Sequence, residues 1–474
     1  MNTDLQRAEE DVEQHSGALK RQLGLRDLVL TQIVFVVGTS WVGAAAKLGP
    51  SHVVFWLLAI LLFYVPQAAV VIYLNRLMPL EGGLYQWAKF GFNEFTGFMV
   101  AWNLWMLGIT VMALSGLVVT TNITYAFGPE AAWMQESKWV VSLVSCVLTA
   151  SLVAVSIRGL SLGKWVHNVG GIIMIVTYGA LIILPFLSLA RGELKEYHPL
   201  ALAVPTLSLL SVNIFSKMAV GAMSGFEYVA ILAGECRSPA RTIGRSVLVA
   251  APIIAVMFIL GTSSVLAFIG NGHIDLIGPV PQTLSIGFHA WPIVGVLVSI
   301  AIVLLAGRAV ALMSIYLAGS SRLPMVAGWD SLLPAWFTRL HTRYRTPINS
   351  ILFVGGITLF FSFASLIGAG AQEAFQVVDS AATVFYGIAY LIMFAIPIFG
   401  AAKISRSAPL WVRLAAGCGL IISVLAIVFT VFPIVDVPSP LVFGAKIIAV
   451  SVAANAIGAA IFLVDKNRRR RAVS

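Results

Sequence analysis

Lys217-Met-Ala-Val-Gly-Ala-Met-Ser-Gly-Phe-Glu-Tyr-Val-Ala-Ile-Leu-Ala-Gly-Glu-Cys-Arg-Ser-Pro239 lies in an apolar run long enough to cross a bilayer. Its centre, Gly221-Ala222-Met223-Ser224-Gly225, is small and poor in helix formers. Glycine in a helix interior costs about 1 kcal/mol relative to alanine, so two of them invite the helix to open. Irregular backbone at membrane depth persists only where protein buries it or where it lines a water-filled cavity. An opened helix there frees N–H and C=O groups that can hold the charged ends of a small solute. Glu227 follows at once, an ionisable group at membrane depth. The plainer reading is an interface of small residues between packed helices.

Composition supports a membrane setting. Of 474 residues, 59% are hydrophobic and 11% charged, against about 25% charged in a soluble domain. Mean hydropathy is +0.94. We read apolar spans at about 28–48, 53–75, 92–125, 138–157, 165–190, 207–234, 246–270, 291–320, 348–370, 376–402, 410–433 and 440–464, each long enough for a spanning helix. The expected fold is therefore an all-α integral membrane protein with 12 transmembrane helices. Residues 1–25 are polar and mixed in charge, without the apolar core of a signal peptide, and form an N-terminal tail. Cys146, Cys236 and Cys418 sit in or beside separate runs and suggest neither a disulfide framework nor a metal site. His52, His167 and His273 show no ligand spacing with Cys or carboxylates, so no metal and no cofactor are expected.

The basic charge of +10 is a topology signal. With the N-terminus placed inside, 23 of the 30 Lys and Arg fall in cytoplasmic segments, including the basic tail 465–474. Lys47, Lys138, Arg191 and Lys195 fall outside, and Lys217, Arg308 and Lys446 lie within spans. That asymmetry predicts both termini in the cytoplasm of a cell-membrane protein. Anionic lipid is the most this charge would favour, not nucleic acid.

Span one carries its own weak point, Val37-Gly38-Thr39-Ser40-Trp41-Val42-Gly43. Thr and Ser side chains compete with helix geometry by bonding nearby backbone. Spans one and six are thus both interrupted, five spans apart. An odd repeat length inverts the second unit, giving five-helix repeats at 26–190 and 207–402, followed by two helices at 410–464. Paired interrupted segments in inverted halves point to a midplane binding site.

Several motifs strengthen this reading. Leu25-Arg26-Asp27 leads into Gly38-Thr39-Ser40, and Pro79, Glu81-Gly82-Gly83 and Tyr85 form a Pro-x-x-Gly-Gly-x-Tyr loop. Gly225-Phe226-Glu227 precedes Gly234-Glu235-Cys236-Arg237-Ser238-Pro239, Arg241 and Arg245. Ser321-Arg322, Asp330-Ser331-Leu332-Leu333-Pro334 and Thr346-Pro347-Ile348-Asn349 follow. In type and spacing these resemble the amino acid permeases of the amino acid–polyamine–organocation superfamily, from about Leu25 to Asn349. The resemblance implies a 5+5 inverted repeat like the bacterial leucine transporter. It implies alternating access, with spans one, two, six and seven rocking against three, four, eight and nine. By similarity, amides around Gly38, Thr39, Ser40 and Gly43 hold a substrate α-carboxylate, and carbonyls from Val220 to Met223 take the α-ammonium.

Three departures from that pattern matter. Ser40 stands where Gly is usual, with Trp41 beside it, either narrowing the pocket or packing on a neighbour. Gly221 occupies a place where arginine-exchanging relatives put a gating Trp, so Gly221 and Ala222 leave room for a medium or large side chain. Thr177 stands where several relatives carry a span-five Lys. Span eight instead offers Arg308 at mid-span, where charge costs about 2.5–3.5 kcal/mol on insertion scales. It reads either as a structural Arg on backbone carbonyls or as a fixed substitute for a bound cation, bracing carbonyls near Val34 to Val37. Lys217 and Lys446 read as snorkelling. Glu227 either braces the broken helix or exchanges a proton. Trp102, Trp105, Tyr125, Phe226 and Tyr228 either shape the pocket or belong to packing and interfacial belts, as does Phe385-Tyr386. Asp379 is a gate charge or a solvated terminus.

No Gly-x-x-x-x-Gly-Lys loop occurs, so the energy source is a gradient or exchange rather than ATP. The expected function is sodium-independent secondary transport of amino acids, not an enzyme activity, coupled to protons or working as an exchanger. With no side-chain countercharge evident near either break, a neutral zwitterion is favoured. The alternatives are a polyamine or organic cation transporter, which needs carboxylates in the pocket, and a sensor that keeps the transporter fold.

Overall fold

The structure, a computed structural model, describes residues 21–270, 273–289, 292–365, 371–404 and 407–473, with a few positions before residue 21. Most of the tail assigned to 1–25, and the side chains of the basic tail from 467 on, lie outside the described residues. Among the described residues the secondary structure is helical, apart from two isolated bridges, Leu23 with Cys236 and Leu340 with Pro347. In hydrocarbon every backbone polar group needs an internal partner, and a helix satisfies all of them within one segment.

In chain order the helices are α1 (Leu25–Val36), α2 (Thr39–Ala46), α3 (Gly49–Leu77), α4 (Leu84–Gly91), α5 (Glu94–Phe127), α6 (Lys138–Arg158) and α7 (Leu160–Ala190). The second half repeats the order: α8 (Leu209–Ala222), a 3-10 segment Tyr228–Glu235, α9 (Pro239–Ile269), α10 (Pro279–Gly287), α11 (Pro292–Trp329), α12 (Ile348–Ser365) and α13 (Ala371–Gly400). Two helices, α14 (Leu410–Phe429) and α15 (Pro440–Val473), close the chain. Each half opens on a broken helix and places a short helix between its second and third long ones. Nine of the described helices are long and apolar enough to span a membrane; α1 and α2, bent by 44°, make a tenth span together. The apolar helices at Leu209–Ala222 and Ile348–Ala364 are shorter, and they occupy the places of expected spans six and nine. The short helices α4 and α10 fall in stretches where no helix was expected.

Both breaks fall where helix propensity is lowest. α1 stops at Val36, and Val37 and Gly38 are extended before α2 begins. α8 loosens into a π-helical turn at Met218–Ala222, then unwinds through Ser224 and Gly225. Gly225 has φ +135°, and a Cβ there would lie 2.5 Å from Phe35 Cδ1, so conformation and space both require glycine. The breaks therefore pack directly against each other.

Around this pair the long helices form two groups. Trp56 of α3 stacks on Phe258 of α9 at 4.7 Å between ring centroids and donates to Thr262 Oγ1 at 3.0 Å. On the other side α5 packs on α11, and α6 packs on α12, with Gly355 close against Val153. α7 contacts α1 and α11, and α13 lies between α5 and α14.

Candidate functional site

A cavity of about 130 Å³ opens where the two breaks meet. Gly38, Thr39, Ser40 and Trp41 line it from the first break, and Gly221 and Ser224 from the second. Arg308, Met313 and Tyr316 of α11 complete one wall. Leu107, Val111, Leu114 and Ser115 of α5 form another, and Phe375, Asp379, Ala382, Thr383 and Tyr386 of α13 a third. The α13 residues recur at intervals of three and four, one face of a helix. Sequence reasoning did not identify the α5 wall, because α5 is apolar all round and its rotation is set by what it packs on.

Trp41 folds over both glycines. A Cβ on Gly221 would lie 2.3 Å from Trp41 Cζ2, and one on Gly38 2.5 Å from Trp41 Cδ1. The expected room at Gly221 is therefore not free: an indole from the first break already fills it. Ala222, Val220 and Met223 are fully buried and do not line the cavity with their side chains. Phe226 is likewise buried, stacked on Tyr64 at 4.8 Å. Gly43 sits beneath α10, where a Cβ would meet Pro279 at 2.6 Å. Thr177 is buried in α7, outside the cavity lining.

Arg308 is 4% exposed, and its Nη2 donates to Val34 O at 3.2 Å and Val37 O at 2.5 Å. These carbonyls lose their helical partners where α1 stops. Tyr178 OH donates to Gly38 O at 3.5 Å from the α7 side. Glu227 is fully buried, and its carboxylate accepts from Tyr386 OH at 2.5 Å, from Tyr390 OH, and from Gln67 Nε2 at 3.2 Å. Tyr390 OH in turn accepts the Gly225 N–H at 3.0 Å. Glu227 thus ties the unwound turn to α13 and α3, and Tyr386 stands between it and the cavity.

Three sequence readings change here, and that of Lys446 stands. Trp102 and Trp105 line a second cavity, about 610 Å³ and apolar, between α5, α11, α12 and α15, not the one at the breaks. Trp102 Nε1 donates to Ala454 O at 2.8 Å, so its role is to seat α15, and helix rotation turns it from the site. Lys217 does not snorkel: it is 2% exposed and donates to Phe432 O at 3.1 Å and Ser380 Oγ at 3.4 Å. Lys446 pairs with Glu373 at 2.7 Å. Asp379 lines the cavity, which removes the basis for expecting a pocket without a side-chain countercharge.

Beyond the site a closed layer lies at the end of the 3-10 segment. Phe35 stacks on Tyr228 at 4.4 Å, and Tyr316 packs against both rings, tilted at 4.7 Å and edge-on at 5.5 Å. Arg322 Nη2 pairs with Glu235 Oε1 at 2.6 Å, and Glu81 Oε2 accepts the Gly234 N–H at 2.6 Å. Gln22 and Leu23 amides donate to Glu235 O, and the Arg237 amide donates to Leu23 O, so the strand before α1 latches the same segment. Burial, with the Glu235 carboxylate beside it, pushes the Glu81 carboxyl up to about 8 against the opposing pull of Arg322 and the Gly234 amide.

Comparison with known proteins agrees with this architecture. The chain is similar to a transporter of Legionella pneumophila, 24% identical over 450 residues, covering 90% of this chain and 92% of that one. It is 22% identical over 400 residues to a branched-chain amino acid permease of Bacillus subtilis, covering 77% and 81%. It is 24% identical over 338 residues to a polyamine transporter of Oryza sativa, covering 70% and 59%. In fold it resembles the crystal structure of MhsT in complex with L-phenylalanine, at TM-score 0.62 and 17% identity over 87% of this chain and 98% of that one. The family model for amino acid permeases matches residues 27–463. The chain belongs to the amino acid permease family of the amino acid–polyamine–organocation superfamily, and is a multi-pass membrane transporter rather than an enzyme.

Proposed function

We propose that this transporter carries α-amino acids by sodium-independent alternating access across the cell membrane, with both termini cytoplasmic. The observation that carries the proposal is the cavity at the paired breaks, with Arg308 in its wall. The first turn of α2 offers the free amides of Thr39, Ser40 and Trp41, the usual place for an anion at a helix N-terminus. These would hold the α-carboxylate. The last carbonyls of α8, from Val220 to Met223, would take the α-ammonium, since a helix C-terminus favours a cation. Gly38 and Ser224 shape the space between. Gly43, under α10, and Thr177, in α7, act at most through packing. Helices α1, α2, α3, α8 and α9 would rock against α5, α6, α11 and α12 around this fixed site.

Sodium independence rests on Arg308. Its guanidinium stays charged at any working pH and occupies the carbonyls that a bound cation would otherwise satisfy. Uptake of radiolabelled amino acids into proteoliposomes should proceed with choline replacing sodium. Arg308→Ala, which leaves buried carbonyls unpaired at about 1–3 kcal/mol each, should abolish uptake while the protein still inserts. Arg308→Lys should retain part of it. A sodium requirement in the unmodified protein, or full activity in Arg308→Ala, refutes the assignment. Imposing a proton gradient without internal substrate separates proton symport from exchange, since only symport then accumulates tracer.

A further inference from the structure

α13 turns Phe375, Asp379, Ala382, Thr383 and Tyr386 toward the central cavity. Of the polar groups on that face, the Asp379 carboxylate is the one with no assigned task. Tyr386 is committed to Glu227 at 2.5 Å, and Thr383 Oγ1 donates to the Asp379 backbone carbonyl at 3.0 Å. Among the described residues the Asp379 carboxylate itself has no hydrogen-bond or ion-pair partner. Asp379 is half-buried and opens into the cavity, where Leu114, Val118, Ile277 and Phe375 stand beside Thr39, Ser40, Ser115 and Ser224. A carboxylate only partly reached by water gains from a charged partner there.

The nearby cations do not fill the gap. Arg308, in the α11 wall of the same cavity, turns Nη2 to the Val34 and Val37 carbonyls and makes no ion pair with Asp379. Lys217, on α8, acts on Asp379 through its charge, yet its Nζ is held by Phe432 O and Ser380 Oγ, and the two groups form no ion pair. The remaining partner is whatever occupies the cavity.

We infer that Asp379 is the side-chain anchor of the substrate site, and that the preferred substrate is a basic α-amino acid whose distal ammonium or guanidinium pairs with this carboxylate. This rests on the proposed grip of the α-carboxylate by the α2 amides, which leaves a side chain free to extend along α13. The simpler role for Asp379, a structural counter-ion to Lys217, demands a contact that the two residues do not make.

Lysine, norleucine and cadaverine separate these cases. Norleucine has lysine's chain without the distal ammonium, and cadaverine is lysine without its carboxylate. Each competes with radiolabelled lysine for the full-length protein in proteoliposomes, with direct uptake of labelled norleucine alongside. Lysine should compete at least tenfold better than norleucine. Asp379→Asn should erase that difference while norleucine uptake persists, and Asp379→Glu should restore part of it. Norleucine matching lysine in the unmodified protein overturns the inference. So does an Asp379→Asn variant that loses both substrates alike, the behaviour of a structural counter-ion. Cadaverine competing better than lysine overturns the amino acid assignment and makes the substrate a diamine. If norleucine is carried but no basic amino acid is, this inference alone fails. If none of the three is bound or carried, the proposed transport site fails with it.

Discussion

At the residue scale the site turns on a single packing contact. Trp41 lies so close to Gly221 that even a methyl group there must displace the indole. Overfilling a packed site costs about 1–3 kcal/mol. Gly221→Ala should therefore weaken apparent substrate affinity, and Trp41→Phe should recover part of the loss when the two are combined. A double-mutant cycle on competition constants measures this directly, because touching residues show a coupling energy that distant, independent ones do not. Additive effects would mean that the ring does not stand on Gly221 in the working protein. The bulk that fills the space at the second break thus comes from the first, across the gap between them.

The element that matters most is the unwound turn after α8. A broken helix at membrane depth is held open only if its freed groups find other partners. Tyr390 supplies one by accepting the Gly225 N–H, and it and Gln67 both donate to the Glu227 carboxylate on the same turn. Tyr390→Phe removes both of these bonds at once, with the one that Gln67 Nε2 donates to the same hydroxyl. Leaving such buried groups unpaired costs about 1–3 kcal/mol each, so the melting temperature in detergent should fall by several degrees. An unchanged melting temperature would show that the turn is braced elsewhere. Glu227→Gln keeps an acceptor but loses the charge. With Glu227 acting as a brace, substrate exchange should survive in this variant, and its loss together with the pH dependence of uptake would mark Glu227 as a proton carrier.

For the whole molecule, one end of the site is closed by the latch around Glu235, Arg322 and Glu81, where residues before α1 meet the end of the 3-10 segment. Glu81 carries the consequence for pH. Its carboxyl lies near 8 in the folded protein against 4.5 ordinarily. The folded state thus holds a proton that the unfolded chain releases at about 4.5, so this residue's contribution falls as pH rises from there toward 8. The melting temperature should drop between pH 5 and pH 8, and Glu81→Gln should flatten the drop; an equal slope in the variant would assign it to other groups. Topology is tested separately. If the termini are cytoplasmic, an impermeant thiol reagent on intact cells should label Lys195→Cys and spare Arg470→Cys, and the opposite pattern reverses the orientation.

Much of this was legible in the sequence alone. Both breaks were, because Gly221, Gly225, Gly38 and their small neighbours weaken a helix by local propensity, whatever it packs against. The mid-span guanidinium of Arg308 was too, since a charge in hydrocarbon must find freed carbonyls, and those lie at the break one can already see. Facing was not legible. Whether Trp102 or Leu107 looks into the cavity depends on the rotation of α5, and that is set by α11 and α15, two hundred residues or more away in the chain. The same holds for Asp379, turned inward on α13, and for Lys217, buried under the Phe432 carbonyl rather than reaching for the interface. Local backbone energies settle where a chain breaks; which side chains meet across the break is decided by the packing of segments that the sequence keeps far apart.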